Sequence, residues 1–150
     1  IIAQYLMVGS WYKKIFLGRK NKIIKPIITN MSFKKHLMIN PISHSSIMYL
    51  RKEALRLGKY PKKLKYAQDW GLILKFLKHS KVKILPSCLT DITVNPKSMT
   101  FSDEYKKIIL YDNLNNLKYV KKNFNLNLIE FFAIQIILLK SKIKLFFKFN

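Results

Sequence analysis

The chain has 150 residues, 49% of them hydrophobic, which is enough for one domain with a buried core and too apolar for a disordered polymer. Its 29 Lys and Arg against 7 Asp and Glu give a formal net charge of +22, a balance that calls for an anionic partner. The single cysteine, Cys88, excludes an internal disulfide and any multi-cysteine zinc site.

Two anionic partners fit such a charge: nucleic acid and a membrane surface. Only Arg19, Arg51 and Arg56 are arginines, and base readout leans on arginine forks, so the lysine excess counts against nucleic acid. Lysine is also accompanied by much Ile and Asn, the residues that A/T-rich codons favour, so coding bias accounts for part of the charge. No secretory signal is apparent, and no apolar run reaches the roughly 18 residues of a membrane-spanning helix. The expectation is a cytoplasmic protein, with peripheral contact at the inner face of a bacterial plasma membrane as an option.

In chain order, residues 1–8 are apolar, Gly9-Ser10 punctuates, and 11–17 with 21–28 predict a hairpin turning near 18–21. Residues 30–40 predict a short helix with Leu37 and Met38 inward. Residues 47–50 read as a strand and 51–57 as a short helix stopped by Gly58. Between 66 and 79, Ala67, Trp70, Ile73 or Leu74 and Leu77 recur at helical spacing, the clearest such signal in the chain. Residues 81–85 predict a buried strand ended by Pro86, with Cys88 just beyond it acting as a small hydrophobe. Ser102 can cap a helix that carries Asp103 and Glu104 at its positive end and runs to about 123, with a break at 113–116.

The last segment, 124–150, differs from the rest. Ile129, Phe132, Ile136 and Leu139 line one helix face, apolar residues occupy others, and Glu130 and Gln135 interrupt the run. Lys140, Lys142, Lys144 and Lys148 then alternate with apolar residues. That pattern suits either a terminal helix packed on the domain or a basic apolar tail lying on anionic lipid.

The acids are few: Asp69, Asp91, Asp103, Asp112, Glu53, Glu104 and Glu130, with no two Asp separated by one residue. The four glycines, 9, 18, 58 and 71, form no phosphate loop. Against this sparse background, several short pieces stand in order: Val8-Gly9-Ser10, Asn40-Pro41-Ile42-Ser43-His44-Ser45-Ser46-Ile47-Met48, Arg51-Lys52, Gly58-Lys59-Tyr60, Gln68-Asp69-Trp70-Gly71-Leu72 and Ile84-Leu85-Pro86. Together they resemble the second half of a family 2 glycosyltransferase of the inverting, GT-A type.

The resemblance implies an α/β fold: residues 1–123 as a partial GT-A domain lacking its nucleotide-binding N-terminal half, and 124–150 as a helical tail. It implies sugar transfer, with inversion, from a nucleotide-sugar donor to a cell-envelope glycan or glycolipid acceptor. Asp69 matches the second member of the family's Glu-Asp pair, the catalytic base, with Gln68 in place of the Glu; otherwise Asp69 would serve only to cap its helix. Asn40, His44 and Ser45 match the loop that shapes the acceptor side and closes over the donor. Trp70 would either stack on a sugar or sit in the core.

The family's metal-binding Asp-x-Asp, which holds Mg²⁺ or Mn²⁺ on the diphosphate, would fall before Ile1, so a fragment or truncated reading frame is expected and no metal ligand is assigned within the chain. In the loop where relatives carry an Arg and a His, Thr93 and Asn95 stand instead, with Lys97 near enough in sequence to meet phosphate. Two other readings remain open: a small basic RNA-binding protein of ribosomal type, and a membrane-surface protein acting through 124–150.

Overall fold

A computed structural model of the chain describes residues 5, 7–16, 20–26, 33, 36–37, 42–95 and 103–149. Among these residues the class is mixed α/β, with four strands and four helices.

Strand β1 (Met7–Phe16) is the spine of the sheet. β4 (Val82–Val94) runs parallel along one edge of it, from Met7↔Val82 to Phe16↔Val94. The other edge is shared by two short antiparallel strands. β3 (Ile47–Tyr49) pairs with the start of β1, Met7↔Tyr49 to Gly9↔Ile47. β2 (Lys22–Ile24) pairs further along, Tyr12↔Ile24 to Lys14↔Lys22, so the expected hairpin is present. Asn21 helps hold its turn by accepting the Phe16 amide at 3.2 Å.

Two sequence expectations fail here. Gly9-Ser10 does not punctuate; β1 runs straight through it. Gly9 is needed for a close approach instead, since a Cβ there would lie 2.6 Å from Ile84 Cδ1 on β4. Pro86 does not end β4 either. Between Ser10 and Trp11 the β4 partner jumps from Leu85 to Cys88, so Pro86 and Ser87 fall in a bulge where the missing proline N–H costs no ladder bond. Cys88 consequently lies within the strand and is exposed, not buried beyond it.

Helix α1 (Arg51–Arg56) ends in a Schellman motif: Gly58 N–H donates to Leu55 C=O and Lys59 N–H to Ala54 C=O. Gly58 takes φ +80 as the motif requires, and Lys59 follows in the same region at φ 58. α2 (Gln68–His79) is the centre of the molecule, with every residue from Trp70 to Phe76 buried. Its Leu72, Ile73 and Phe76 pack with Met7, Ile42 and Ala54 beneath the sheet. Its Trp70 and Leu74 pack on the opposite side, with Leu114, Leu117 and Val120 of α3 (Asp103–Asn123) and Ile134 and Leu138 of α4 (Leu128–Phe149).

Phe33, His36 and Leu37 are helical and buried, and Phe33 and Leu37 join this second core. Met38 and Ser102, singled out in the sequence, lie outside the described residues.

α3 is unbroken through 113–116, contrary to the expectation from its asparagines. α4 begins with a capping box: Asn127 Oδ1 accepts the Glu130 amide at 2.9 Å, and Glu130 Oε2 accepts the Asn127 amide at 3.1 Å. The same carboxylate oxygen accepts Lys78 Nζ of α2 at 2.7 Å. The segment after residue 123 therefore shares a core and an ion pair with the rest of the chain.

Candidate functional site

Asp69 stands in the first turn of α2, half-buried, with Oδ1 accepting the Trp70 amide at 2.7 Å. It does not cap the helix. The N-cap position belongs to Ala67, which makes no side-chain capping bond. The free amides before the helix go to Asp112, a buried carboxylate from α3 whose Oδ2 accepts N–H groups from Tyr66 at 2.6 Å, Lys65 at 2.8 Å and Ala67 at 3.4 Å.

One helical turn on, Asn116 donates its Nδ2 to the Ala67 carbonyl at 2.7 Å. The two side chains hold the 65–67 backbone as a clamp. The clamp explains why α2 starts at Gln68 although its apolar pattern begins at 66–67. It also explains Gly71: a Cβ there would meet Asn116 Oδ1 at 2.5 Å and Pro61 Cγ at 2.8 Å. The clamp bonds its backbone partners 45 to 49 residues away, which is why the Asn-rich stretch of α3 does not break the helix.

The loop that follows α1 brings Tyr60 to the same place. Tyr60 Oη lies 2.6 Å from His44 Nε2 and 2.7 Å from Tyr49 Oη, so one phenol joins the 3₁₀ turn His44–Ser46, strand β3 and the loop. Burial, the Tyr49 hydroxyl and the negative charge of nearby Asp69 all push the Tyr60 phenol well above its ordinary range. The Tyr60 phenol therefore stays protonated at neutral pH. Its loop is fixed from below by Lys75 of α2, whose buried Nζ donates to the carbonyl of Lys59 at 3.0 Å. That bond anchors the left-handed Lys59, and burial lowers the Lys75 pKa.

His44 is thus hydrogen-bonded to Tyr60, 16 residues on in sequence, and Asp69 is near enough for its charge to act on the same phenol. Ser45 is exposed beside His44 and lines a cavity of about 230 Å³ with Ser10, Ile47, Met48, Leu85 and Thr90. Gln68 is exposed. Trp70 belongs to the core: the residue is 7% exposed and Nε1 donates to the His36 carbonyl at 2.8 Å, so of the two roles open to it the packing one is observed. Asn40 lies outside the described residues, as does Lys97; Asn95 is exposed at the end of β4. Among the described residues no three His, Cys, Asp or Glu side chains lie together to hold a metal ion.

Tyr60 and Tyr49 were not among the sequence candidates. Tyr60 was visible as the last residue of Gly58-Lys59-Tyr60, but its partners come from elements distant in sequence. Asp112 and Asn116 carried a fainter signal, two polar residues at i and i+4 with the core positions Leu114 and Leu117 interleaved between and after them.

Comparison with protein-family models, with curated protein sequences and with solved structures finds no match to this chain.

Proposed function

We propose that this chain forms the acceptor side of an inverting, GT-A-type sugar transferase, with Asp69 as its base. The observation that carries the reading is the hydrogen bond between His44 and Tyr60, with the charge of Asp69 acting on the same phenol, one residue from each of three separate sequence pieces that resemble family 2 glycosyltransferases. In this reading the acceptor hydroxyl lies against Asp69. The carboxylate takes the proton as the oxygen attacks the anomeric carbon of the donor, and the nucleotide diphosphate departs from the opposite face of the sugar. Oδ1 is held by the Trp70 amide, which orients the carboxylate without protonating it, and the helix start favours its negative charge. Tyr60 and His44 supply hydrogen bonds to the acceptor, and Ser45 lines the adjoining cavity.

The acceptor class we assign is an envelope glycan or glycolipid. The nucleotide site and the Mg²⁺ or Mn²⁺ that the resemblance expects are assigned to no residue of this chain, which holds no Asp-x-Asp pair. The test is made in the source cell. Deletion of the chain and Asp69→Asn should remove the same sugar unit from the envelope glycans, read by mass spectrometry. Unaltered glycans in Asp69→Asn cells that still produce the protein overturn the reading.

A further inference from the structure

Helix α4 turns one face to the core and leaves the opposite one bare. Ile134 and Leu138 are buried, and Ile137 and Leu145 pack beside them. On the other side Ile129, Phe132, Ile136, Leu139, Ile143 and Phe146 recur at alternating steps of three and four, and each is 48–64% exposed. At 1.5 Å per residue this stripe runs for about 26 Å along the helix. No contact among the described residues covers it, and an apolar surface of that length is a place where something docks.

The surroundings of the stripe state the chemistry of that partner. At 3.6 residues per turn, Lys140 and Lys144 fall on one side of it and Lys142 on the other. On the Lys142 side the helix borders a groove of about 490 Å³ shared with α3, lined by Lys118, Lys121, Lys122 and Lys142 and floored by Leu138 and Leu139. Among the residues lining this groove there is no acid. Lys121 lies over the ring of Phe131, 5.3 Å from its centroid, in the manner of a cation resting at an apolar boundary.

We infer that α4 lies flat on an anionic lipid bilayer, with its six-residue stripe among the acyl chains and the α3–α4 lysine groove on the headgroup phosphates. The inference is independent of the transferase reading, since none of its residues belongs to the Asp69 site. A second copy of the chain is a poorer match. The chain carries +22 formal charges, and of its seven acids Glu53, Asp112 and Glu130 are already spent on internal bonds, so pairing two stripes sets lysines against lysines. Nucleic acid matches the groove but leaves the stripe in water. Anionic lipid satisfies both at once. No helix among the described residues is long and apolar enough to cross a membrane, so the helix lies on the surface.

The test is co-sedimentation of the full chain with vesicles of phosphatidylglycerol and phosphatidylcholine, against phosphatidylcholine alone. The wild-type chain should pellet with the anionic vesicles only. Ile136→Ser with Leu139→Ser, at exposed positions that leave the core intact, should weaken binding about tenfold or more with an unchanged circular dichroism spectrum. Lys121→Gln, Lys122→Gln and Lys142→Gln together should weaken it by a similar factor, and added salt should weaken the wild type. A wild-type chain that stays in the supernatant, or a serine variant that pellets as well as wild type, overturns the inference. So does a dimer in the supernatant that the serine pair dissolves, which would give the stripe to a second copy.

Discussion

Helix α2 is held by two cores of different kinds. On the sheet side, Leu72, Ile73 and Phe76 pack against Ile42, Met7 of β1 and Ala54 of α1 through apolar contacts, and polar bonds reach α1 and its loop from Lys75 and Ser80. On the helix side, Trp70 and Leu74 also pack among apolar partners, but the contact is registered by polar bonds: Asp112 and Asn116 on the 65–67 backbone and Glu130 on Lys78. The apolar side sets how deep the helix sits. The polar side sets where it starts, and so which turn of the helix carries Asp69.

That difference can be probed from each side. Phe76→Ala empties a fully buried ring site in the sheet-side core and should cost about 3–5 kcal/mol in denaturant unfolding. Gly71→Ala touches the polar side. Its methyl group would push Asn116 off the Ala67 carbonyl, at a cost of about 1–3 kcal/mol, although alanine is the better helix former. If Gly71→Ala instead stabilises the protein, Asn116 does not approach α2 as closely as its contact with Gly71 requires.

A smaller effect depends on pH. Glu53 of α1 accepts two hydrogen bonds from Arg56, at 2.6 and 2.7 Å, and a third from Ser80 at the end of α2. The Arg56 guanidinium first, and the Ser80 hydroxyl second, hold its pKa near 2, down from an ordinary 4.5. A carboxyl whose folded pKa is depressed contributes stability that is present above its unfolded value and lost as pH falls through its folded one. Stability should therefore drop between about pH 4.5 and pH 2, and Glu53→Gln should flatten that slope at a cost near neutrality of about 1 kcal/mol. A slope that Glu53→Gln leaves unchanged would assign acid sensitivity to other groups.

Local chemistry made part of this fold legible. Gly58 announced the end of α1 because a left-handed C-terminal residue is a local requirement, and the 66–79 periodicity announced α2 because its buried face is continuous. The misreadings share a cause: a partner far away in sequence overrode a local signal. Pro86 normally ends a strand, but a bulge against β1 absorbs it. Asn113 to Asn116 look like a break, but Asn116 spends its amide on Ala67. Gly9 reads as a pause, but the side chain of Ile84 requires it. The site shows the same limit. His44 and Asp69 could be named from short sequence pieces, while the bond of Tyr60 to His44 and the clamp of Asp112 appear only when the chain is folded.

Two carboxylates at one helix start divide the labour: Asp112 carries the structure, and Asp69 is the one proposed for chemistry. Thermal and urea unfolding of Asp69→Asn and Asp112→Asn, side by side, test it without any substrate. Asp112→Asn should lose about 2–3 kcal/mol, because a buried acceptor of three backbone amides is replaced by a group that is uncharged and half donor. Asp69→Asn should stay within about 0.5 kcal/mol of wild type, as befits a half-buried residue with one local bond. The reverse order, with Asp69→Asn strongly destabilised and Asp112→Asn unaffected, would make Asp69 the helix cap and remove it from the proposed chemistry.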